Sequence, residues 1–309
     1  MGFFKQDVRH NNSDSWINLN KFKMITVVMP SFFSAELVKE RIQEIGSETP
    51  IIIIENSKDE NLKEELEKKY NNVSVIIPSE NLGWGKAINL GIKTAKTEMV
   101  FVTQPDVKLI NNCMQKLKEC VSSFNDFAIL TPYDQNDETY KNFEVKKSYN
   151  LQKSVNNFNL REVDYVDLTW LINKSKFENN DFWDEKIFLY FEAKDFSKRV
   201  KNSQNKIFIV ENINTYHIGS ASHDIKYENY LKLNRSWHYN WSKHYYNKKH
   251  FGFFFAYKKS LGFLIKLIFR FFNSIIFLKL KKSKLIMFEI YGLLCSMLGL
   301  PSFYRPYKN

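Results

Sequence analysis

Short apolar runs alternate with amphipathic stretches through residues 24–130 of the chain. The apolar runs, rich in Val and Ile, predict buried β-strands at residues 24–29, 51–54, 73–77, 98–103 and 127–130. The stretches between them space their apolar residues three and four apart, which predicts α-helices at residues 35–45, 62–70, 85–95 and 111–124. This alternation predicts βαβ units and an α/β fold with a mostly parallel sheet.

The regular alternation ends near Thr131. Residues 133–160 are rich in Asn, Asp and Lys and predict loops or a flap. Further elements are predicted as a strand at residues 163–173, a helix at 192–201 and a last strand at 206–210. Beyond Asp224 the pattern is helical, aromatic and basic. We therefore expect a tail at residues 1–22, an α/β domain at 23–225 and a helical region at 226–309.

The basic charge of the chain is concentrated in the C-terminal helical region. The net charge is +11, and residues 232–309 hold 15 Lys and Arg against one acid, Glu289, so residues 1–231 carry −3. A hydrophobic fraction of 44% and an aromatic fraction of 16% exclude a disordered chain. The polar N-terminal stretch shows no apolar signal segment, which favours a cytoplasmic location. Cysteines 113, 120 and 295 have no partner spacing typical of zinc sites and favour core packing.

Polar residues follow the predicted strands at the edge where a parallel sheet gathers its ligands. Pro30-Ser31-Phe32 follows the first strand, Glu55-Asn56-Ser57 the second and Gln104-Pro105-Asp106 the fourth. An acid at such an edge accepts hydrogen bonds from a base or a ribose, and an acid beside phosphates is a ligand for Mg²⁺ or Mn²⁺. The alternatives are a helix N-cap at residues 55–57 and a simple turn at 104–106.

A Gly-rich segment opens the helix predicted at residues 85–95. Gly83 and Gly85 flank Trp84, and Lys86 and Asn89 follow. Glycines let the backbone approach a ligand closely, and a lysine at a helix start suits a phosphate. The spacing matches neither the P-loop nor the dinucleotide-binding fingerprint, so the segment alone does not define a function.

Two acids and one histidine are candidates for chemistry in the second half of the domain. Glu192 and Asp195 lie one helical turn apart, so either one suits a general base. The alternative is that both acids complement the dipole of their helix. His217 follows the last predicted strand, where a structural role is the alternative to ligand binding.

In their order along the chain, these motifs resemble the family-2 glycosyltransferases of the GT-A fold, and most closely the rhamnosyltransferase-like bacterial members. The resemblance rests on residues 27–33, 55–59, 81–91, 104–106, 183–196 and 217–220. It covers about residues 24–222 and implies a Rossmann-like domain that binds a nucleotide sugar. Single motifs of this kind are weak, but six in the family's order are specific.

The resemblance implies inverting transfer of a sugar, with rhamnose as one candidate, from a nucleotide-diphosphate donor to a hydroxyl group. It assigns donor binding to Pro30, Ser31, Phe32, Glu55, Asn56, Ser57, Asn81, Gly83, Trp84, Gly85, Lys86, Asn89, Gln104 and Asp106. It implies that a divalent metal, Mg²⁺ or Mn²⁺, is held by Asp106 and His217. Trp170, Trp183 and Asp184 are candidate acceptor contacts, and core packing is the alternative for both tryptophans.

One position departs from the family pattern where the base is expected. The family's usual base is the second residue of a Glu-Asp pair, and this position is Ala193 here. Either Glu192 or Asp195 then acts as base, or the chain is a catalytically impaired homologue that serves as a nucleotide-binding scaffold in a glycan assembly complex. Loss of a general base lowers the rate by about 10²–10⁴-fold.

The C-terminal region has the pattern of a membrane-surface helix. In residues 259–278 the basic and polar side chains fall in one narrow sector and aromatic and aliphatic side chains cover the rest, which is typical of an interfacial helix. Charges near the middle of the segment disfavour a transmembrane span. The alternative is a helical hairpin packed on the domain or on a second copy of the chain.

We therefore expect a glycosyltransferase peripheral to the inner face of the plasma membrane. The expected acceptor is a lipid-linked sugar or a polysaccharide in cell-surface glycan synthesis. Nucleic acid is the other polyanion that a basic, aromatic region attracts. No recognition motif for it is present and the α/β domain carries a charge of −3, so we expect no nucleic-acid partner.

Overall fold

A computed structural model of the chain describes residues 24–136, 141–145, 152–219 and 228–305. The tail expected at residues 1–22 and parts of the predicted flap lie outside the described residues. The predicted alternation of strands and helices in the first half is confirmed. It consists of β1 (Ile25–Ser31), α1 (Ala35–Ile45), β2 (Ile51–Glu55), α2 (Glu60–Lys69), β3 (Val73–Ile76), α3 (Gly83–Thr94), β4 (Met99–Val102), β5 (Val107–Leu109) and α4 (Cys113–Ser123).

The second half adds strands of two to eleven residues and four further helices. These elements are β6 (Ile129–Asp134), β7 (Phe143–Glu144), β8 (Gln152–Val155), β9 (Phe158–Glu162), β10 (Tyr165–Val166), β11 (Trp170–Asn173), α5 (Glu192–Asn202), β12 (Ile207–His217), α6 (Glu228–Phe251), α7 (Phe253–Ile276) and α8 (Leu280–Met297). Two 3₁₀ turns, Lys174–Lys176 and Glu178–Asn180, lead from β11 towards α5.

One mixed sheet organises the α/β domain. Its strand order is β3-β2-β1-β4-β11-β6-β12-β9-β8, and β5 pairs with β12. The strands from β3 to β4 run parallel, and the register pairs Ser31 with Glu55 and Val28 with Val102. The polar residues that follow β1, β2 and β4 therefore meet at one edge, as the sequence predicts.

Helices cover both faces of this sheet and enclose two apolar cores. The first core joins the sheet to α1, α2 and α4. The second joins the other face to α3 and α5. Strands β1, β2 and β4 are buried along their whole length, which explains their unbroken Val and Ile runs.

Three predicted boundaries were wrong, each for an identifiable reason. The strand predicted at residues 127–130 starts at Ile129 and continues through Pro132. A proline is tolerated there because β11 pairs only with Ile129 and Leu130, so no hydrogen bond to β11 is lost at Pro132. The strand predicted at 163–173 is two strands, since Leu168 has φ +70° between them. The last strand runs to His217 rather than Val210. Its polar middle does not end it, because the pairing of β12 with β6 shifts register between Val210 and Asn214 and then continues.

The C-terminal helices pack on the domain through α6. Trp237 and Trp241 are buried against the α8 side, where the Trp241 indole N–H donates to the Leu300 carbonyl at 2.9 Å. On the other side of the helix, the Ser242 hydroxyl donates to the Leu189 carbonyl of the domain at 2.8 Å. Within the described residues, none of the helices combines the length and hydrophobicity needed to cross a bilayer.

Gly292 sets the distance between α6 and α8. A Cβ atom at this position would overlap the Trp237 carbonyl, so the two helices approach at backbone contact. We expect Gly292→Ala to force them apart and lower the free energy of unfolding by about 1–3 kcal/mol. Urea denaturation measures this change.

Gly262 on α7 provides the matched control for Gly292. A Cβ atom there meets nothing within 4 Å, so Gly262→Ala should be neutral or stabilise the helix by about 0.5–1 kcal/mol. Equal effects of the two substitutions would contradict the close packing of α6 against α8.

Candidate active site

A cavity of about 270 Å³ opens at the sheet edge where β1, β2 and β4 end. It is lined by Pro30, Ser31, Phe32 and Ser34, by Asn56, Asn81, Gly83 and Trp84, by Gln104, Pro105 and Asp106, by Phe188, Leu189 and Tyr190, and by Leu231, Asn234 and Arg235. The structure thus brings most of the predicted donor-binding residues to one cavity. Most of its remaining wall comes from the segment Phe188–Tyr190 and from α6, in the C-terminal region.

Phe188 joins three parts of this cavity. Its carbonyl accepts the Trp84 N–H at 2.9 Å, and Gly83 lies so close that a Cβ atom would overlap the Phe188 ring. The Phe188 ring stacks on His238 of α6 with centroids 4.4 Å apart, and the Arg305 guanidinium lies 3.5 Å from its centroid. Gly83 therefore serves close backbone packing as well as any ligand contact.

Asp106 carries a carboxylate that the fold leaves partly unsatisfied. The residue is buried, and its Oδ1 atom has no hydrogen-bond partner among the described residues. Its Oδ2 atom lies 3.5 Å from the His217 Nε2 atom, and this pairing raises the pKa of His217. The alignment of β12 with β5 delivers His217 here, and the Ile218 N–H donates to the Asp106 carbonyl at 2.9 Å.

Asp134, at the end of β6, is a second buried acid close to this pair. Its Oδ1 atom accepts the His217 backbone N–H at 2.9 Å, and its Oδ2 atom is buried without a partner in the described part of the chain. No group of three His, Cys, Asp or Glu side chains forms a ready metal cluster among the described residues. A cation held by Asp106 and His217 would therefore need further oxygens, which phosphates of a bound nucleotide supply.

Glu192 follows the cavity wall through a strained turn. Tyr190 and Phe191 have φ values of +66° and +67°, a conformation that costs energy and is frequent at functional sites. The Glu192 Oε2 atom is enclosed and has no hydrogen-bond partner within the described ranges. Burial raises the pKa of the Glu192 carboxyl to about 8, and the Asp167 carboxylate adds to the increase. Such a carboxyl accepts a proton readily near neutral pH.

Asp195 occupies a different environment from Glu192. Its oxygens pair with Arg199 at 2.8 Å, Lys249 at 2.7 Å and His250 at 2.7 Å. It is fully buried, so the Arg199 and Lys249 cations compensate its charge. Burial lowers the pKa of His250, so the imidazole contributes a hydrogen bond rather than a charge. Like Glu192, Asp195 does not line the cavity. The structure therefore places Asp195 in an ionic link between α5 and α6, where its oxygens are not free to accept a proton from substrate.

Asp184, predicted as an acceptor contact, belongs to the same link. It accepts hydrogen bonds from Lys249 at 2.7 Å and from the Tyr245 hydroxyl at 2.9 Å. Burial raises the pKa of Asp184, but the Lys249 hydrogen bond and further donors outweigh it, so the net pKa is lowered. Asp184 thus holds α6 against the domain.

Trp170 and Trp183 are core residues rather than open stacking platforms. They are 1% and 2% exposed, and their rings meet edge to face with centroids 5.5 Å apart. Neither lines the cavity and both belong to the second core, which favours core packing over the predicted stacking on a sugar ring.

Five predicted donor residues lie outside the cavity lining: Glu55, Ser57, Gly85, Lys86 and Asn89. Asn89 is buried and exchanges hydrogen bonds with the Trp183 backbone at 2.8 and 3.0 Å, which ties α3 to the segment that precedes Phe188. Gly85 also packs on Trp183, and the Lys86 side chain is exposed. Glu55 lines a neighbouring cavity of about 350 Å³ that shares Ser34 with the first.

Ser57 lines this neighbouring cavity with Glu55 and bonds to it. The Glu55 Oε1 atom accepts the Ser57 N–H at 2.7 Å and also the Ser57 hydroxyl. Its Oε2 atom is buried and unpartnered within the described residues, so it keeps one acceptor for a ligand. Asn56 lines the first cavity and accepts the Leu82 N–H at 3.1 Å.

Residues 26–190, more than half of the chain, match the family described as glycosyl transferase family 2. The chain belongs to glycosyl transferase family 2. It is therefore a glycosyltransferase with a GT-A fold followed by C-terminal helices, as the sequence motifs predict. Among curated proteins, no sequence relative matches the chain.

Two solved glycosyltransferases are similar in fold. The mannosyltransferase PcManGT of Pyrobaculum calidifontis, solved with GDP-Man and Mn²⁺, is 9% identical with a TM-score of 0.52, over 89% of this chain and 87% of that chain. A 1–349 fragment of TarS from S. aureus is 15% identical with a TM-score of 0.50, over 91% and 93%. That fragment was also solved with UDP. At these identities the likeness shows the fold alone.

Several cavity residues of this family 2 glycosyltransferase were not predicted from the sequence. Leu231, Asn234 and Arg235 reach the cavity from α6, far along the chain, and no local motif marks them. Asp134 does not line the cavity but lies beside the Asp106–His217 pair, and it had the signal that identified Asp106, an acid at the end of a buried strand. It was missed because the strand was predicted to end at Leu130.

The raised pKa of Glu192 makes the stability of the protein depend on pH. Glu ionises near pH ~4.3 in an unfolded chain and near pH 8 in the fold, so folding favours the protonated carboxyl. This contribution is complete below the unfolded pKa and is lost as the pH rises through the folded pKa. We expect wild type to lose free energy of unfolding relative to Glu192→Gln between pH ~5 and ~8.

Urea denaturation of both proteins across this pH range measures the difference. Glu185→Gln, which changes an exposed carboxylate seven residues earlier, is the control and should track wild type. Parallel pH profiles for wild type and Glu192→Gln would contradict the assigned pKa.

Proposed function

We propose that the chain is an inverting glycosyltransferase that moves a sugar from a nucleotide-diphosphate donor to a hydroxyl of a lipid-linked or polysaccharide acceptor in cell-surface glycan synthesis. Two carboxyl groups in different environments carry the proposal: Asp106 lines the cavity, and Glu192 lies two residues beyond Tyr190 of the cavity wall without itself belonging to the lining. Asp106 is a buried carboxylate beside an imidazole, and Glu192 is a carboxyl whose pKa is raised to about 8. The first suits a metal and the second suits proton transfer.

The donor fits the cavity by chemical type. Asn56, Asn81 and Gln104 provide amide donors and acceptors for a base and a ribose, and the ring of Phe32 offers an aromatic face. Arg235, from α6, brings a cation to a site that must hold a diphosphate. The neighbouring pair Glu55 and Ser57 extends the polar surface past Ser34. Rhamnose and mannose are candidate sugars, the second because PcManGT was solved with GDP-Man.

A divalent cation, Mg²⁺ or Mn²⁺, fits between Asp106 and His217. The unpartnered Oδ1 atom of Asp106 is a hard oxygen ligand, and the His217 imidazole is within 3.5 Å of the same carboxylate. PcManGT was solved with Mn²⁺, which supports a metal in this fold. The bound cation would neutralise charge on the diphosphate as it leaves. Asp106 and His217 orient that end of the donor.

Glu192 is the residue we assign as general base. Its carboxylate form would take the proton from the attacking acceptor hydroxyl, and burial makes that form a stronger base than an exposed glutamate. Ala193, at the family's usual base position, is buried in the second core and has no side-chain atom that could accept a proton. The Asp195 oxygens are taken by Arg199, Lys249 and the His250 imidazole. Of these positions only Glu192 has an enclosed, unpartnered oxygen among the described atoms.

A catalytically impaired scaffold is the second candidate function. Ala193 favours it, because the family's base is missing from its usual place. A scaffold would keep donor binding at the cavity and lose turnover. The two candidates therefore differ in catalysis and agree in binding.

Transfer assays on a donor panel separate the two candidates. We expect one of dTDP-rhamnose, GDP-mannose or UDP-sugars to turn over on a membrane acceptor extract with Mn²⁺. Glu192→Gln should lower kcat about 10²–10⁴-fold with donor affinity kept, because only the proton acceptor is removed. Asp106→Asn should abolish the metal-dependent part of donor binding.

Glu185→Gln and Asp126→Asn, which change exposed acids outside the cavity, are the controls and should leave transfer unchanged. Donor binding without turnover of any panel member would favour the scaffold. Full activity of Glu192→Gln would remove Glu192 from the mechanism.

The helices α7 and α8 are proposed to rest on the cytoplasmic face of the plasma membrane. An apolar stripe on α7 repeats every three to four residues at Ile265, Phe269, Phe272 and Ile276, which are 54%, 72%, 58% and 74% exposed. Basic side chains at Lys279, Lys281, Lys282 and Lys284 lie directly beyond it. A water-exposed stripe of this size beside lysines suits an anionic lipid surface, which would hold the cavity near a lipid-linked acceptor.

Loss of two stripe residues tests this orientation. Phe269→Ser with Phe272→Ser should weaken binding to anionic phospholipid vesicles by about tenfold or more, since each buried Phe contributes about 1.5–3 kcal/mol. Vesicle co-sedimentation measures the binding. Met24→Ser, which changes an exposed apolar residue of the α/β domain, is the control. Equal vesicle binding by all three proteins would contradict the proposal, and a wild-type dimer dissociated by the double substitution would assign the stripe to a homo-oligomer.

A further inference from the structure

A second cavity, of about 620 Å³, lies among the C-terminal helices and shares no residue with the donor cavity. Four lysines line it: Lys243 from α6 and Lys258, Lys259 and Lys266 from α7. No carboxylate lines it, and none of the four lysines forms a salt bridge within the part of the chain described here. Lys243 lies over the Phe263 ring at 4.6 Å and Lys259 over the Phe255 ring at 5.7 Å. Four cations without a carboxylate partner around one concave surface make a positive field.

His244 adds a buried donor to this cavity. It is 1% exposed, and its Nδ1 atom lies 2.7 Å from the Ser260 hydroxyl oxygen. Its Nε2 atom is buried and has no partner among the described residues. When Ser260 donates its hydroxyl proton to Nδ1, the Nε2 atom carries the imidazole proton and can donate it to a ligand. A buried polar atom of this kind marks a missing partner.

The cavity has room for a ligand at the α7 side. Gly262 belongs to the lining, and a Cβ atom added there would meet nothing within 4 Å. Lys243 is partly buried, and burial followed by repulsion from Lys259 lowers its pKa. An anion in the cavity would relieve both effects.

We propose that this cavity binds a phosphate monoester or diphosphate group. Lysine ammonium groups bind phosphate as point charges, and His244 would add one directional hydrogen bond. A helical sector holding Lys259 and Lys266 adjoins the sector of exposed Ile265 and Phe269 on the same helix, at 100° per residue. The phosphate therefore belongs to a lipid headgroup at the membrane surface. This last assignment rests on the proposed membrane orientation, whereas the phosphate site itself does not.

Pyrophosphate and vesicles distinguish a soluble phosphate from a lipid phosphate. Binding of pyrophosphate to the full chain is measured by calorimetry in EDTA, which suppresses metal-dependent binding at the donor cavity. Vesicles with phosphatidic acid, a phosphate monoester, are compared with phosphatidylglycerol vesicles of equal surface charge. We expect pyrophosphate to bind and phosphatidic acid to be preferred.

The test variant is Lys243→Gln with Lys259→Gln, and the control is Lys68→Gln with Lys69→Gln, which removes the same charge from the exposed end of α2, outside the C-terminal helices. The test variant should bind pyrophosphate about tenfold more weakly and lose the lipid preference, because two of four phosphate contacts are gone. The control should change either property less than about twofold.

Gly262→Glu is a second test variant, which keeps the proposal testable if the lysine variant misfolds. It places a carboxylate at an open position of the cavity and should give the same loss while the protein stays folded. Nucleotide binding at the donor cavity should persist in every variant, which separates this proposal from the proposed function. Pyrophosphate binding without a lipid preference would support the site and assign it to a soluble phosphate. Equal losses in the test and control variants, or no pyrophosphate binding by wild type, would overturn the proposal.

Discussion

The packing of Phe188 is the contact on which the rest of the active site depends. Its carbonyl is bonded to the Trp84 N–H at the start of α3, and its ring is held between His238 of α6 and Arg305. Burial lowers the pKa of His238 to about 3, so the imidazole that faces Phe188 is neutral at physiological pH. This contact fixes Leu189 and Tyr190 in the cavity wall. It also fixes the start of the strained turn that delivers Glu192.

The C-terminal region therefore contributes to the candidate active site through α6. One face of α6 lines the cavity, while Lys249 and His250 at its far end bind Asp195 on α5. The same α5 begins at Glu192, so α6 positions the proposed base from two directions. Because α6 also packs on α8 through Gly292, the orientation of the exposed apolar stripe on α7 is linked to the geometry of the cavity.

The sequence predicted the fold well where its signals are local. The fully buried strands β1, β2 and β4 have unbroken apolar runs, and the residues that follow each strand meet at one edge because parallel strands end together. The sequence prediction failed where contacts between residues far apart in the chain determine the position of a side chain. Asn89 and Trp183 resemble binding residues in sequence, but their hydrogen bonds are with each other. Asn234 and Arg235 enter the cavity only because α6 folds back across it, and no spacing along the chain encodes that return.

The central claim is that one cavity, closed by the sheet edge, the Phe188 segment and α6, holds the nucleotide-diphosphate donor. Hydrogen exchange with mass spectrometry, on the full chain with a nucleoside diphosphate and Mn²⁺, tests it most directly. The account predicts metal-dependent protection that appears together at residues 81–85, 104–106, 188–192 and 231–235. Protection confined to the strand ends, with α6 unchanged, would contradict it.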